Sequence, residues 1–145
     1  MVSLFIDASE EQIKLAKEIG ADIVEIHTGE YCRKINYHED GQNELERIKE
    51  AAIFADEIGL ELHLGHGITF DSVKELSKIK EVKEFNIGHF IISESVFIGL
   101  QNSIKKFKEI KFNHLMSIYE LNYHNFKHFL NLQAKKSKEL ENLTA

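Results

Sequence analysis

Short apolar runs alternate with amphipathic stretches along this chain. Residues 2–7 form an apolar run that closes on Asp7, the pattern of a buried strand ending in an acid. Ser9 then opens a helix through a capping box, its hydroxyl capping the backbone while Gln12 reaches back from three residues on. Ile13, Ala16 and Ile19 give that helix one apolar face, and Gly20 stops it. Residues 22–27 read as a second strand, running into Thr28-Gly29. Residues 30–43 are polar and irregular, and read as a loop over an active site. Leu45, Ile48, Ala52, Ala55 and Ile58 line a longer helix stopped by Gly59, ahead of a third strand over residues 60–65. A shorter helix around residues 73–76 leads to a fourth strand over 85–88. After it Val96, Leu100, Ser103 and Phe107 fall at the spacing of one helix.

The run Ala16-Lys17-Glu18-Ile19-Gly20 matches Ala55-Asp56-Glu57-Ile58-Gly59, and each leads into a strand. That is the helix-stop-strand joint of a repeated βα unit. Strands alternating with helices imply a parallel sheet in an α/β fold. Four βα units are legible over residues 1–110, where a closed barrel of this kind has eight. The pattern is therefore that of half a barrel. Residues 111–145 differ, mixing Tyr119, Tyr123, Phe126 and Phe129 with asparagine before a lysine-rich end. Ile118, Leu121, Phe129 and Leu132 suit a loose amphipathic helix there, so the tail is expected to be helical or partly disordered, either a packing helix with a frayed end or one that binds a partner.

Composition narrows the function classes. The chain has 145 residues and a net charge of -6, with no basic stripe through residues 1–100, which argues against nucleic acid. No apolar stretch approaches the roughly 20 residues of a membrane span. Residues 1–7 lack the basic-then-apolar pattern of a signal peptide, and Cys32 is the sole cysteine, so the expected compartment is the cytoplasm. Cys32 itself reads as a partly buried inert thiol rather than a nucleophile. Anionic small molecules remain suitable ligands, because helix N-termini and glycine backbones bind phosphate without positive net charge.

The chemistry concentrates at strand ends. Gly65-His66-Gly67 closes the third strand, and Asn86-Ile87-Gly88-His89 follows the fourth. Glycine lets a ligand approach the backbone, and histidine offers a proton near neutral pH. His66 is the candidate general acid or base, against a polar loop filler. Backbone N–H groups of Gly67, Gly88 and His89 are candidate phosphate donors. In the second strand, side-chain alternation sets Val24 and Ile26 toward helices and turns Glu25 and His27 to the barrel interior. Glu25 is a candidate proton-transfer acid or a structural acid paired to a neighbouring strand. Ser93 and Ser95 read as helix N-caps.

On these residues the chain resembles the pyridoxine 5′-phosphate synthase family of (β/α)8 TIM barrels. The matching stretches are residues 2–7, Glu25-Ile26-His27-Thr28-Gly29-Glu30-Tyr31, Gly65-His66-Gly67, Asn86-Ile87-Gly88-His89 and Phe97-Ile98-Gly99-Leu100, in order from Val2 to about Ile110. The resemblance implies a cytoplasmic, oligomeric transferase of vitamin B6 biosynthesis that uses no metal or organic cofactor. It condenses 3-amino-2-oxopropyl phosphate with 1-deoxy-D-xylulose 5-phosphate. It further implies His66 as proton donor, Gly67, Gly88 and His89 as holders of the amino-ketone phosphate, and Glu25 as an acid of the site. The family's first barrel half supplies another catalytic histidine, a glutamate and most groups gripping the deoxyxylulose phosphate, and the present residues match the second half. Residues 111–145 have no counterpart in the pattern. Full activity is thus expected only on self-association or on meeting the other half. The alternatives are a pairing fragment that binds phosphate ligands without turnover, and a metal-dependent barrel hydrolase built on His27, His63, His66 and His89.

Overall fold

Strands and helices alternate over residues 1–110, the residues described by the structure, a computed structural model. In chain order they are β1 (Ser3–Ile6), α1 (Glu10–Glu18), β2 (Ile23–His27), α2 (Gly29–Asn36), α3 (Gln42–Glu57), β3 (Glu61–Gly65), α4 (Val73–Leu76), β4 (Val82–Asn86), α5 (His89–Ile98) and α6 (Leu100–Glu109). The four strands pair in parallel in the order β1-β2-β3-β4. This is the arrangement of consecutive βα units of a (β/α)8 barrel. The expected helix over residues 111–145, with Ile118, Leu121, Phe129 and Leu132, lies outside the described residues.

Register separates two chemistries onto the two sheet faces. One face carries the rows Leu4-Val24-Leu62-Val82 and Ile6-Ile26-Leu64-Phe85. It packs against Ile13 and Ala16 of α1, Ile48, Ala52 and Ala55 of α3, Leu76 of α4 and Phe107 of α6, all buried. Each fully buried aliphatic side chain contributes about 1.5–3 kcal/mol relative to exposure. The opposite face carries the rows Phe5-Glu25-His63-Glu84 and His27-Gly65-Asn86. The alternation expected in β2 is therefore observed, with Val24 and Ile26 under helices and Glu25 and His27 on the other side.

The sequence repeat is a structural repeat. Gly20 and Gly59 adopt φ of +87° and +73°. In the first copy Ala21 N–H donates to the Ala16 carbonyl at 3.0 Å, and in the second Leu60 N–H donates to Ala55 at 2.9 Å. Both are the six-to-one closure that ends a helix on a left-handed residue. Lys17 ties the copies together by donating from Nζ to the Gly59 carbonyl at 3.0 Å.

Several expectations are corrected. Residues 30–43 are not simply a loop: α2 occupies the first half of the segment and α3 begins within its last two residues, because Tyr31 and Cys32 are buried while Arg33 pairs with Glu30 and Glu39 on the outer side. The capping box is shifted at one end. Ser9 Oγ accepts from Gln12 N–H at 3.5 Å, but Gln12 Oε1 accepts from Asp7 N–H rather than from Ser9. Ile19 is 67% exposed, since it is the C-cap residue and turns off the apolar face. The fourth strand begins at Val82 and ends at Asn86, with Lys83 the extra residue of an irregularity opposite Leu62 and His63. The single expected final helix is two, because Gly99 at φ +83° breaks it, and Val96 is left 80% exposed. Ser93 and Ser95 lie inside α5, where their hydroxyls donate to the His89 carbonyl at 3.0 Å and the Ile91 carbonyl at 2.5 Å. The N-cap of α5 is Gly88.

Cys32 is fully buried, and burial pushes its thiol pKa up against the opposing hydrogen bonds of Ser72 and Thr28. No helix among the described residues is long and apolar enough to cross a membrane.

Candidate active site

His66 is the first residue past β3, and the chain turns sharply on it. Its φ is +75°, and Gly67 follows at +77°. A left-handed conformation is uncommon outside glycine, and surrounding structure must hold it there. Thr28 does so. Its side-chain oxygen lies 2.9 Å from the Gly65 carbonyl and 2.8 Å from the His66 carbonyl, and its N–H donates to Gly65 at 2.9 Å. Gly67 has the same logic. Besides its φ, a Cβ there would stand 3.2 Å from Cys32 Cβ, so the turn packs closely on α2.

The imidazole of His66 is set by a second histidine. His27, at the end of β2, stacks on it with ring centroids 4.5 Å apart. Phe5 meets His27 edge-on at 5.4 Å. His27 Nδ1 accepts from Gly29 N–H at 3.3 Å, which leaves Nε2 as the protonated nitrogen of its neutral ring.

Across from this pair, β4 ends at Asn86 and α5 starts at His89 behind Gly88. The first N–H groups of a helix lack intrahelical acceptors and carry the positive end of its dipole, a setting that attracts anions. Phe90 anchors this helix start against Phe70, ring centroids 4.9 Å apart. Between the two walls lies an open cleft of about 850 Å³. His66, Gly67, Gly88 and His89 all line it, with Asn36, Thr69, Asp71 and Asn86 among the remaining walls. Thr69 Oγ1 donates to Asn36 Oδ1 at 2.9 Å, joining the β3 turn to α2 at the rim.

Glu25 does not line this cleft. Its carboxylate rises from the row below and accepts from Asn86 Nδ2 at 2.6 Å. One row down, His63 Nε2 lies 2.8 Å from Glu61 Oε1 and 3.9 Å from Glu84 Oε2. Burial raises the Glu84 carboxyl pKa, His63 opposes this, and the charges of Glu61 and Glu25 add to it. The histidines of the hydrolase alternative are dispersed: His27 and His66 stack, His63 sits lower between carboxylates, and His89 stands across the cleft. Among the described residues no cluster of three or more histidine, cysteine or acidic side chains could hold a metal ion. Four of the expected site residues thus share one cleft, and Glu25 reaches it through Asn86. Thr28, Asn36 and Thr69 received no site role from the sequence. Their part depends on which loops pack together, and only the strand-end position of Thr28 hinted at it.

The family model for "Pyridoxal phosphate biosynthesis protein PdxJ" matches residues 1–112. A pyridoxine 5′-phosphate synthase of Sulfurihydrogenibium sp. (strain YO3AOP1) is 54% identical over 112 residues, covering 77% of this chain and 45% of the relative. Its counterpart in Zymomonas mobilis is 45% identical over 107 residues, covering 74% and 41%. That of Aquifex aeolicus is 47% identical over 111 residues, covering 72% and 45%. The chain accordingly spans less than half the length of these relatives. With four ordered βα units, the strand-end motifs and a match over residues 1–112, the chain belongs to the PdxJ family of pyridoxal phosphate biosynthesis proteins.

Proposed function

We propose that this chain forms part of a pyridoxine 5′-phosphate synthase. Its cleft takes the phosphate of 3-amino-2-oxopropyl phosphate, which is condensed with 1-deoxy-D-xylulose 5-phosphate to give pyridoxine 5′-phosphate, with release of phosphate and water. Backbone N–H groups of Gly67, Gly88 and His89 hold the phosphate, and His66 donates the proton to the departing oxygen. Glu25 serves as the acid of the site. The observation that carries this reading is the shared cleft, with the turn of His66 on one wall and the start of α5 on the other. A phosphate held at that helix start would share the cleft with the imidazole, which brings a bound substrate and a proton donor to one site.

A second reading is favoured by the sheet itself. Helices cover one face of four parallel strands, and the other face carries Glu25, Glu61, His63 and Glu84. Closing a barrel over that face takes further strands along β1 and β4. In this reading the chain alone binds phosphate ligands without turnover. Catalysis follows when a second copy, or the barrel half present in longer relatives, completes the site in the cytoplasm.

One experiment separates the two. The purified chain is titrated calorimetrically with 3-amino-2-oxopropyl phosphate, then supplied with both substrates while pyridoxine 5′-phosphate and released phosphate are measured. Binding with steady product formation supports the synthase acting alone. Binding without product supports the incomplete site. Absence of binding rejects both. Where turnover is obtained, His66→Asn is expected to lower it at least a hundredfold while changing ligand affinity only a few-fold, and equal loss of both would count against the proton-donor role.

A further inference from the structure

The row His27-Gly65-Asn86 at the open ends of β2, β3 and β4 has a gap in it, because its central member has no side chain. The gap is filled from the row beneath. A Cβ built on Gly65 would fall 1.8 Å from Glu25 Oε1 and 2.8 Å from its carboxyl carbon. Glu25 itself pairs in register with His63, one row lower. Its side chain therefore climbs one level, lies over the bare backbone of β3, and meets Asn86 on the far strand at 2.6 Å. No other residue type at position 65 leaves this path open.

We propose that Asn86 is the positioning residue of Glu25. Over the vacancy at Gly65, its amide draws the carboxylate up to the level of His27 and His66 and holds its negative charge behind the Asn86 wall of the cleft, toward the cationic amino group of the bound amino ketone. This rests on the ligand assigned to the cleft above. Asn86 suits the task because its side chain both lines the cleft and donates to the carboxylate. A hydrogen bond to an ionised acceptor is shorter and about twice as strong as a neutral one. The alternative resting place for Glu25 is its own row, beside His63 and Glu84. There it would crowd a second carboxylate, and Glu84 already feels its charge. Repulsion from below and donation from Asn86 act in the same direction.

The test has one arm without ligand and one with two probes. In the isotope-labelled chain, one proton of the Asn86 side-chain amide is expected well downfield of its partner, and both resonances move on Glu25→Gln. An Asn86 amide indifferent to Glu25→Gln overturns the proposal whatever the chain binds. In the second arm the chain is titrated with inorganic phosphate and with 3-amino-2-oxopropyl phosphate. Asn86→Ala is expected to weaken the amino ketone about tenfold or more and inorganic phosphate no more than about twofold. Equal weakening of both probes overturns the proposal, since Asn86 would then merely shape the cleft. If the wild-type chain binds neither probe, the function proposed above fails, and the amide resonances decide this inference alone.

Discussion

The imidazole of His66 lies face to face with that of His27, with planes 24° from parallel and ring centroids 4.5 Å apart. The stack exists because residue 29 is glycine. A Cβ there would stand 2.5 Å from His27 Cε1 and 2.8 Å from His66 Cδ2. Gly29 also begins α2, where alanine is favoured over glycine by up to about 1 kcal/mol. The two effects oppose, and the atoms in the way belong to rings that can swing aside. Gly29→Ala is expected to leave stability within about 1 kcal/mol of wild type while separating the rings. Imidazole proton shifts of both histidines would move together. Unmoved shifts would show that the stack does not depend on this glycine.

Thr28 joins the end of β2 to the turn that carries His66. Its side-chain oxygen serves two carbonyls from a buried position. Thr28→Val keeps the shape and removes the hydroxyl, taking its donor from the His66 carbonyl while Gly65 keeps the Thr28 N–H. The expected loss is about 1–3 kcal/mol, read as a lower urea midpoint at unchanged slope. A midpoint equal to wild type would mean that the turn at His66 is held by other contacts.

At φ +75°, residue 66 distinguishes backbone strain from side-chain chemistry. Glycine and asparagine accept this region far better than alanine does. The stability order His66→Gly and His66→Asn above His66→Ala is expected, with a gap of about 1 kcal/mol. All three should lose the imidazole proposed above as the proton donor. Alanine matching glycine in a denaturation series would mean that the turn relaxes out of the left-handed region.

Stability should fall at alkaline pH for a reason confined to α2. Burial first, then the charges of Cys32 and Glu75, push the Tyr31 phenol up to about 12. Burial also raises Cys32 above its ordinary value of 9.0. Both groups are neutral acids whose folded pKa exceeds the unfolded one. Their contribution is full below the ordinary thiol value and is lost as pH climbs toward about 12. Urea midpoints measured from neutral to alkaline pH should decline through that window. Tyr31→Phe should flatten the upper part of the decline, and an unchanged profile would place the sensitivity elsewhere.

What the sequence made legible follows from how local each signal is. Val24 and Ile26 against Glu25 and His27 is a period-two pattern within one strand, and the structure repeats it face for face. The paired stops at Gly20 and Gly59 were readable because a glycine after an amphipathic run has one conformational use there. In α2 the signal was narrow. Tyr31, Cys32 and Ile35 make a thin apolar stripe, and the charges of Glu30, Arg33 and Lys34 dominate the segment. In α5 apolar residues surround the axis, leaving Val96 and Phe97 exposed, so no single face announced the break at Gly99. At the site, both glycine-histidine motifs were visible as residues. The reach of Glu25 to Asn86 was not, because it depends on the register of two strands separated by a third.

The spatial order of the strands equals their order in the chain, which has a consequence for how the molecule opens and closes. Each strand finds its hydrogen-bonding neighbours in the units immediately before and after it. Pairing can then grow from the middle outward, one βα unit at a time, without waiting for distant segments to meet. The same order grades the protection of the backbone. Among the described residues, amides of β2 and β3, paired on both sides, should exchange with solvent more slowly than amides of the connecting loops. Gly65 sits in that slow interior between β2 and β4, so the bare backbone under the Glu25 carboxylate should be among the last parts of the sheet to open.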